Sequence, residues 1–408
     1  MEERDIQKNI RLYTWFQILK EPLFWGPILI LYIQEKCHMS LSEIYFMEAV
    51  AIAIIVILEI PSGALADKIG RKKTILLGST ICFLDLIIFS VANSPLMAWI
   101  GDVVFAIGYS FISGADESFL YETILEDKKW NALPESALKN YYTKIDGQAV
   151  AWRFLLTALA SLPVGYLAKI NLRIPLAISL IGVAINLFCV VIRMQEPQHF
   201  KKYNIKEHLT TMRNGIVFTF SHAKILWLII FIALLTGVSK VWFFTYNPYF
   251  ALVNIDKEYY GYIFSILNLV AFIFSRYAYL FEKHMNEYIG AIILTLCVGL
   301  PMFLMGNFIM PAMVWLVLCQ NIFRGISRPY FGILFNRLVK DNNIRSTVLS
   351  VRYTFHGIAE LLFLPLFGIL FEKTQNNLGL CLQIFGLGCL AICFLLILAR
   401  FLFNKRRS

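Results

Sequence analysis

Two apolar runs, Ala49 to Ile60 and Ile75 to Ala92, are joined by one short and strongly charged turn, Gly63-Ala-Leu-Ala-Asp67-Lys68-Ile-Gly70-Arg71-Lys72-Lys73. Long apolar runs separated by short charged turns recur along the chain, and no other feature narrows the possible folds so far. A soluble domain carries about 45–50% apolar and about 25% charged residues. Here 58% of residues are hydrophobic and only 16% charged, with a mean hydropathy of +0.65. Backbone polar groups in lipid must be satisfied within the segment, so such runs read as transmembrane helices. At ~20 residues per span there is room for about 12 of them. The expected class is an all-α polytopic membrane protein.

Periodic apolar segments predict helices near 11–34, 42–66, 73–92, 95–123, 146–169 and 173–194. A second set is predicted near 224–252, 258–281, 287–309, 311–335, 346–371 and 378–402, with Asn247-Pro248 kinking the first of these near its outer end. Between the sets lies the longest polar stretch, Gln195 to Ala223, rich in lysine and arginine. It reads as a linker, in which Lys206 to Phe220 could form an interfacial amphipathic helix. The expected organisation is a six-helix bundle over 1–194, a cytoplasmic linker over 195–223 and a second bundle over 224–408. With the N-terminus inside, 25 of the 37 Lys and Arg fall in cytoplasmic segments, five in external ones and seven within helices. The positive-inside rule then places both termini in the cytoplasm. The net charge of +10 sits mainly in these turns, so it marks topology and argues against nucleic-acid binding. The eight cysteines show no paired ligand spacing, and Cys389 and Cys393 read as helix-packing residues that share a face. The first apolar stretch contains Lys20 and Glu21 and is expected to stay in the mature protein as helix 1. A weak repeat relates the halves: Gly63, Asp67 and Lys68 match Ala278, Glu282 and Lys283 at an offset of 215, and Leu162-Pro163 matches Leu364-Pro365 at 202.

The turn from Gly63 to Lys73 resembles the signature loop between helices 2 and 3 of major facilitator superfamily transporters, Gly-x-x-x-Asp-(Arg/Lys)-x-Gly-Arg-(Arg/Lys). Glu59-Ile-Pro61-Ser62-Gly63, and Ser113-Gly114-Ala115-Asp116-Glu117 in helix 4, resemble a bacterial branch of that superfamily, some of whose members resemble drug exporters. The resemblance implies the major facilitator fold, with 12 helices in two pseudo-symmetric bundles that alternate access to a central site. It further implies a gating latch of Gly63, Asp67, Gly70, Arg71 and Glu122, in which Asp67 faces the start of helix 11 near Ser346 and Arg71 pairs with Glu122. Two departures weaken drug–proton antiport. Val104 stands where exporters often carry an arginine, and the helix-5 antiporter motif survives only as Ala158 to Gly165.

Ionisable residues inside spans cost a few kcal/mol each and normally face a cavity or a partner. Lys20, Glu21, Asp116, Arg153, Lys240, Arg324, Arg352, His356 and Glu360 are therefore the candidates for substrate or proton sites. Arg352, His356 and Glu360 fall at i, i+4 and i+8, one polar stripe on one helix face. That stripe reads either as a proton-exchanging site around His356 or as an internally paired ladder. Lys20 and Lys240, well inside helices 1 and 7, read either as substrate contacts or as static bridges to Glu21 or another acid. Glu117 is expected to pack against Arg153, while Asp85 and Glu59 read as structural. No nucleophile–base or metal-ligand spacing is present, so neither an enzyme, a catalytic residue, a metal site nor a cofactor is expected. The reading is a monomeric, multi-pass transporter of the cell membrane. Its first form is proton-coupled export of a small polar or zwitterionic, drug-like molecule. A symporter importing a nutrient or metal chelate, and a non-transporting membrane sensor, are the alternatives.

Overall fold

The computed structural model describes residues 3–127, 135–197, 213, 215–278, 280, 281, 285, 287–339 and 342–405. Among these residues there is no strand. The helices are α1 (Glu3–Leu19), α2 (Leu29–Lys36), α3 (Leu41–Ile69), α4 (Arg71–Val91), α5 (Pro95–Ile112), α6 (Ala115–Leu125), α7 (Glu135–Ser161), α8 (Val164–Ile170) and α9 (Arg173–Ile185). They continue with α10 (Ala223–Leu252), α11 (Lys257–Arg276), α12 (Glu287–Asn307), α13 (Val317–Leu338), α14 (Asn342–Lys373) and α15 (Leu378–Lys405). Nine helices among the described residues are long and apolar enough to cross a membrane, ten if the bent pair α7–α8 is one span. The two remaining expected spans fail for a physical reason. The first is broken between α1 and α2, and α13 carries Gln320, Asn321, Arg324, Arg328 and Arg337.

Three expected helices are interrupted, each where the sequence removes a backbone donor or admits an unusual backbone. Residues 20–28 contain Pro22 and Pro27 and form a non-helical strap between α1 and α2. Gly114, at φ +78°, separates α5 from α6. Pro163 stands at the 43° bend between α7 and α8, in the remnant of the antiporter motif. By contrast α10 runs through Pro248 as one element. Of the expected amphipathic helix over 206–220, residues 215–221 are helical and most of the rest lie outside the described residues, as do Glu282 and Lys283 of the repeat.

The chain divides into two compact units. One comprises Met1–Met39, Val50–Tyr203 and Lys257–Leu269; the other Ser40–Ala49, Asn204–Asp256 and Val270–Ser408. In the first, α4 and α5 pack so closely that a Cβ on Gly78 would lie 2.6 Å from the Gly108 carbonyl oxygen. In the second, α12 and α15 do the same, with a Cβ on Gly306 falling 2.5 Å from the Gly379 carbonyl oxygen. Small residues let helix backbones approach where lipid gives no hydrophobic drive to association. Gly63 behaves differently from the expectation of close packing at a helix end. It lies inside α3, and among the described residues a Cβ there would meet nothing within 4 Å. Gly78→Val is therefore expected to destabilise the protein by overpacking, about 1–3 kcal/mol. Gly63→Ala should leave the thermal midpoint of the detergent-solubilised protein unchanged or raise it, since Gly in a helix costs about 0.5–1 kcal/mol relative to Ala.

Candidate functional site

The charged turn is built around Gly70, whose φ of +109° ends α3 and lets α4 begin at Arg71. Arg71 is held between two acids. Its Nη2 lies 2.5 Å from Asp67 Oδ1 one helical turn away, and its Nε donates to Glu122 Oε1 on α6 at 3.0 Å. All three side chains are mostly buried, so the pairs are less screened than surface ones. A third acid completes the arrangement. Glu196, beyond α9, accepts from the Lys72 backbone N–H at 3.2 Å, where the α4 N-terminus favours negative charge. A Cβ on Gly70 would lie 2.6 Å from Glu196 Oε2 and would push that flexible carboxylate aside, while the φ is what calls for glycine.

Further into the same unit, the two helix breaks meet. Lys20, the first residue of the strap, lies 2.9 Å from Asp116 Oδ2, and Asp116 sits in the first turn of α6 just past Gly114. Asp116 also accepts from Gln17 Nε2 at 2.8 Å, and its Oδ1 caps the Glu117 N–H. The network continues from Gln17 Nε2 to the Tyr13 hydroxyl at 2.8 Å, and Tyr13 donates to Asp146 Oδ1 at 3.1 Å. Arg153 of α7 bonds Glu21 Oε1 at 2.8 Å. These contacts correct one expectation: Lys20 is not well inside a helix, because the prolines end α1 at Leu19. Of the acids open to it, Lys20 bridges to Asp116, and Glu21 is bonded by Arg153.

The second compact unit holds its own set. Lys240 of α10 lies 2.7 Å from Glu48 Oε1 on the first part of α3 and 5.3 Å from the centre of the Phe244 ring. His356 Nε2 and Glu360 Oε1, one turn apart on α14, are 2.9 Å apart. Gly237, one turn before Lys240, lets α10 press on Ala359 and Phe363, which keeps Lys240 electrostatically close to Glu360. The stripe of three is thus not one ladder. His356 and Glu360 pair, while Arg352 lies over the rings of Tyr353 and Phe335 at 4.6 and 5.6 Å, contacts that suit a planar guanidinium. On α13, Arg324 donates to Asn321 Oδ1 at 2.9 Å and covers the Phe243 ring at 5.1 Å. The Ser346 side chain lies outside the described ones.

No protein-family model matches this chain. It is 23% identical over 362 residues to an uncharacterized MFS-type transporter, YxaM of Bacillus subtilis (strain 168), covering 85% of this chain and 84% of the relative. Among solved structures it superposes on the nucleoside transporter NupG with a TM-score of 0.72 at 16% identity, over 98% of this chain and 99% of that one. On a D-xylose-proton symporter the TM-score is 0.70 at 13% identity, over 97% of each chain. The fold is that of the major facilitator transporters. Within it, four residues of these networks escaped the sequence reading: Tyr13, Gln17, Asp146 and Glu196. The first two were detectable, since Tyr13, Gln17 and Lys20 fall at i, i+4 and i+7 on one face of an apolar helix. Glu48 was visible as an acid in a span, but nothing local pointed to Lys240.

The Lys20–Asp116 pair makes a separable prediction. Lys20→Met alone leaves a buried carboxylate without its cation and should cost about 3–5 kcal/mol, read as a large fall in thermal midpoint. Adding Asp116→Asn should restore most of that loss. If the double variant is no more stable than the single one, the pairing is not what holds these side chains.

Proposed function

We propose that this protein is a secondary active transporter that works by alternating access and moves a small polar or zwitterionic organic molecule in exchange with, or together with, protons. The observation that carries this reading is the charge balance at membrane depth. Lys20 with Asp116, Arg153 with Glu21, Lys240 with Glu48, and His356 with Glu360 form four paired sets on breaks and spans of a multi-pass fold. Paired charges of this kind mark substrate and ion pathways rather than lipid contacts. Their near-neutral sum suits a neutral or zwitterionic substrate better than a lipophilic cation. The side chains that contact substrate are proposed to be Lys20, Glu21, Asp116, Arg153, Lys240, Arg324 and Arg352, with His356 and Glu360 exchanging protons.

The moving parts in this proposal are the bundles 1–194 and 224–408, joined by the cytoplasmic linker 195–223. Asp67, Arg71 and Glu122, with Gly63 and Gly70 shaping the turn, act as the cytoplasmic latch. With both termini in the cytoplasm, the ion pairs of Lys169 with Glu258 and of Lys257 with Glu35 fall on the external side. There they tie the start of α11 to α8 and the α2 end within the first compact unit. Export, including export of drug-like molecules, is the first reading because the Glu59-to-Gly63 and Ser113-to-Glu117 motifs resemble an exporter-containing branch. Proton symport of a nutrient or metal chelate is the second, favoured by the likeness to a D-xylose-proton symporter.

Purified protein in proteoliposomes, challenged with a panel of nucleosides, pentoses and amino-acid-like zwitterions, should give a substrate-driven pH change. Proton movement with the substrate assigns symport, and movement against it assigns antiport. Absence of both pH change and counterflow across the panel would instead support a sensor. The latch is tested separately. Asp67→Asn should shift the equilibrium toward the inward-open state by about 5- to 150-fold, the range of a 1–3 kcal/mol coupling. Labelling rates of cysteine reporters introduced on the cytoplasmic side read this shift, and unchanged rates would sink the latch.

A further inference from the structure

Asp85 takes no part in any of the paired sets. It lies about two thirds of the way along α4, only 2% exposed, in a helix that is apolar and long enough to span the membrane. No donor reaches its Oδ1, and no Lys, Arg or His forms an ion pair with it among the described residues. Its setting is close-packed. A Cβ on Gly101 of α5 would lie 2.7 Å from the Phe89 ring and 3.4 Å from Asp85 Oδ1, so carboxyl and ring share one spot on the α4–α5 face. Phe89 is covered in turn by the strap. The Trp25 ring meets it edge-on with centroids 6.3 Å apart, and the Tyr32 hydroxyl bonds the Phe89 carbonyl at 2.6 Å.

The ionisable groups around this spot are few. From α5 comes Asp102, which acts on Asp85 electrostatically and is itself buried. On α4 itself, Cys82 lies one turn away, within the field of Lys20 and Glu21 of the strap. From α9, Arg173 reaches the residue just past α4, donating to the Ala92 carbonyl at 3.3 Å, and also bonds Tyr32 of α2. From α6, Glu122 is engaged at the opposite end with Arg71. A carboxylate so enclosed, beside a second acid and with no cation, is the least favourable state of this side chain, whereas the neutral acid needs no counter-charge. The α4–α5 backbone contact keeps the two acids together, so what can change is the cover. Over the neighbouring Phe89 ring that cover is the non-helical strap, whose first two residues are Lys20 and Glu21.

We propose that the Asp85 carboxyl is a proton-carrying site separate from the paired charges, loaded while the strap of residues 20–28 covers it and unloaded to water when the strap lifts. Loading forms the O–H bond of a neutral carboxylic acid; unloading breaks it, leaving a hydrated carboxylate and a proton in the aqueous phase. Because Lys20 and Glu21 anchor the strap to Asp116 and Arg153, a substrate that displaces either pair would also uncover Asp85. This last link rests on the transport reading above; the proton site does not.

Infrared difference spectroscopy of the purified protein in lipid nanodiscs reads the site without any substrate. At neutral pH the wild type should show a protonated-carboxyl C=O band that shifts in heavy water and disappears in Asp85→Asn but not in Glu59→Gln. A wild type without the band, or a band that survives Asp85→Asn, would overturn the proposal. If Asp85→Asn fails to accumulate, Asp85→Glu must move the band in frequency, and an unmoved band is equally fatal. Trp25→Ala, which opens the cover, should lower the pH at which the band is lost by about 1 unit or more. An unchanged midpoint would remove the strap from the proposal and with it the link to substrate. A failed transport assay leaves the band intact, so the two readings fail separately.

Discussion

An ionised side chain at bilayer depth has no water to solvate it, and the local architecture of this protein follows from where each such charge finds its partner. Lys20 needs Asp116, and the two meet because α1 stops at Leu19 and α6 starts after Gly114. Had helix 1 continued as a regular span, Lys20 would sit on a helix face with a direction set by its neighbours. The strap instead lets the chain turn its charged residues toward α6 and α7, giving Lys20 to Asp116 and Glu21 to Arg153. Breaks of this kind are tolerated at membrane depth only where protein or a cavity lines them.

The glycines perform the complementary task. At Gly78 with Gly108, and at Gly306 with Gly379, helices approach until backbone touches backbone, which makes the α4–α5 and α12–α15 pairs rigid struts. Gly237 brings α10 against Ala359 and Phe363, and so holds Lys240 near Glu360 while its short bond goes to Glu48. Lys240 stands between two acids, one of them bonded to a histidine. The close-packed struts and these charge pairs are thus carried by different helices.

Much of this was legible in the chain, unevenly. The turn from Gly63 to Lys73 announced its charge pattern because its residues act on one another over a single helical turn, as Asp67 and Arg71 do. The Arg71–Glu122 contact spans 51 residues and was expected only through a family resemblance, never through spacing. Arg153 with Glu21, and Lys240 with Glu48, join residues 132 and 192 positions apart, and no periodicity links them. Gly63 shows the opposite failure. A glycine at a motif position invited a packing role, and no described residue comes within 4 Å of where its Cβ would stand.

The amino-acid sequence by itself determined the class of fold, the number and rough bounds of the apolar segments, and which residues would be expensive to bury. Those properties depend on composition and local order, which are additive along a chain. Only the tertiary structure decided how the charges are paired, that His356 belongs with Glu360 while Arg352 lies on aromatic rings, and that Asp85 forms no ion pair with a described cation. Pairing depends on distances of a few ångströms between distant segments, and those distances are set by where helices break and how closely they pack.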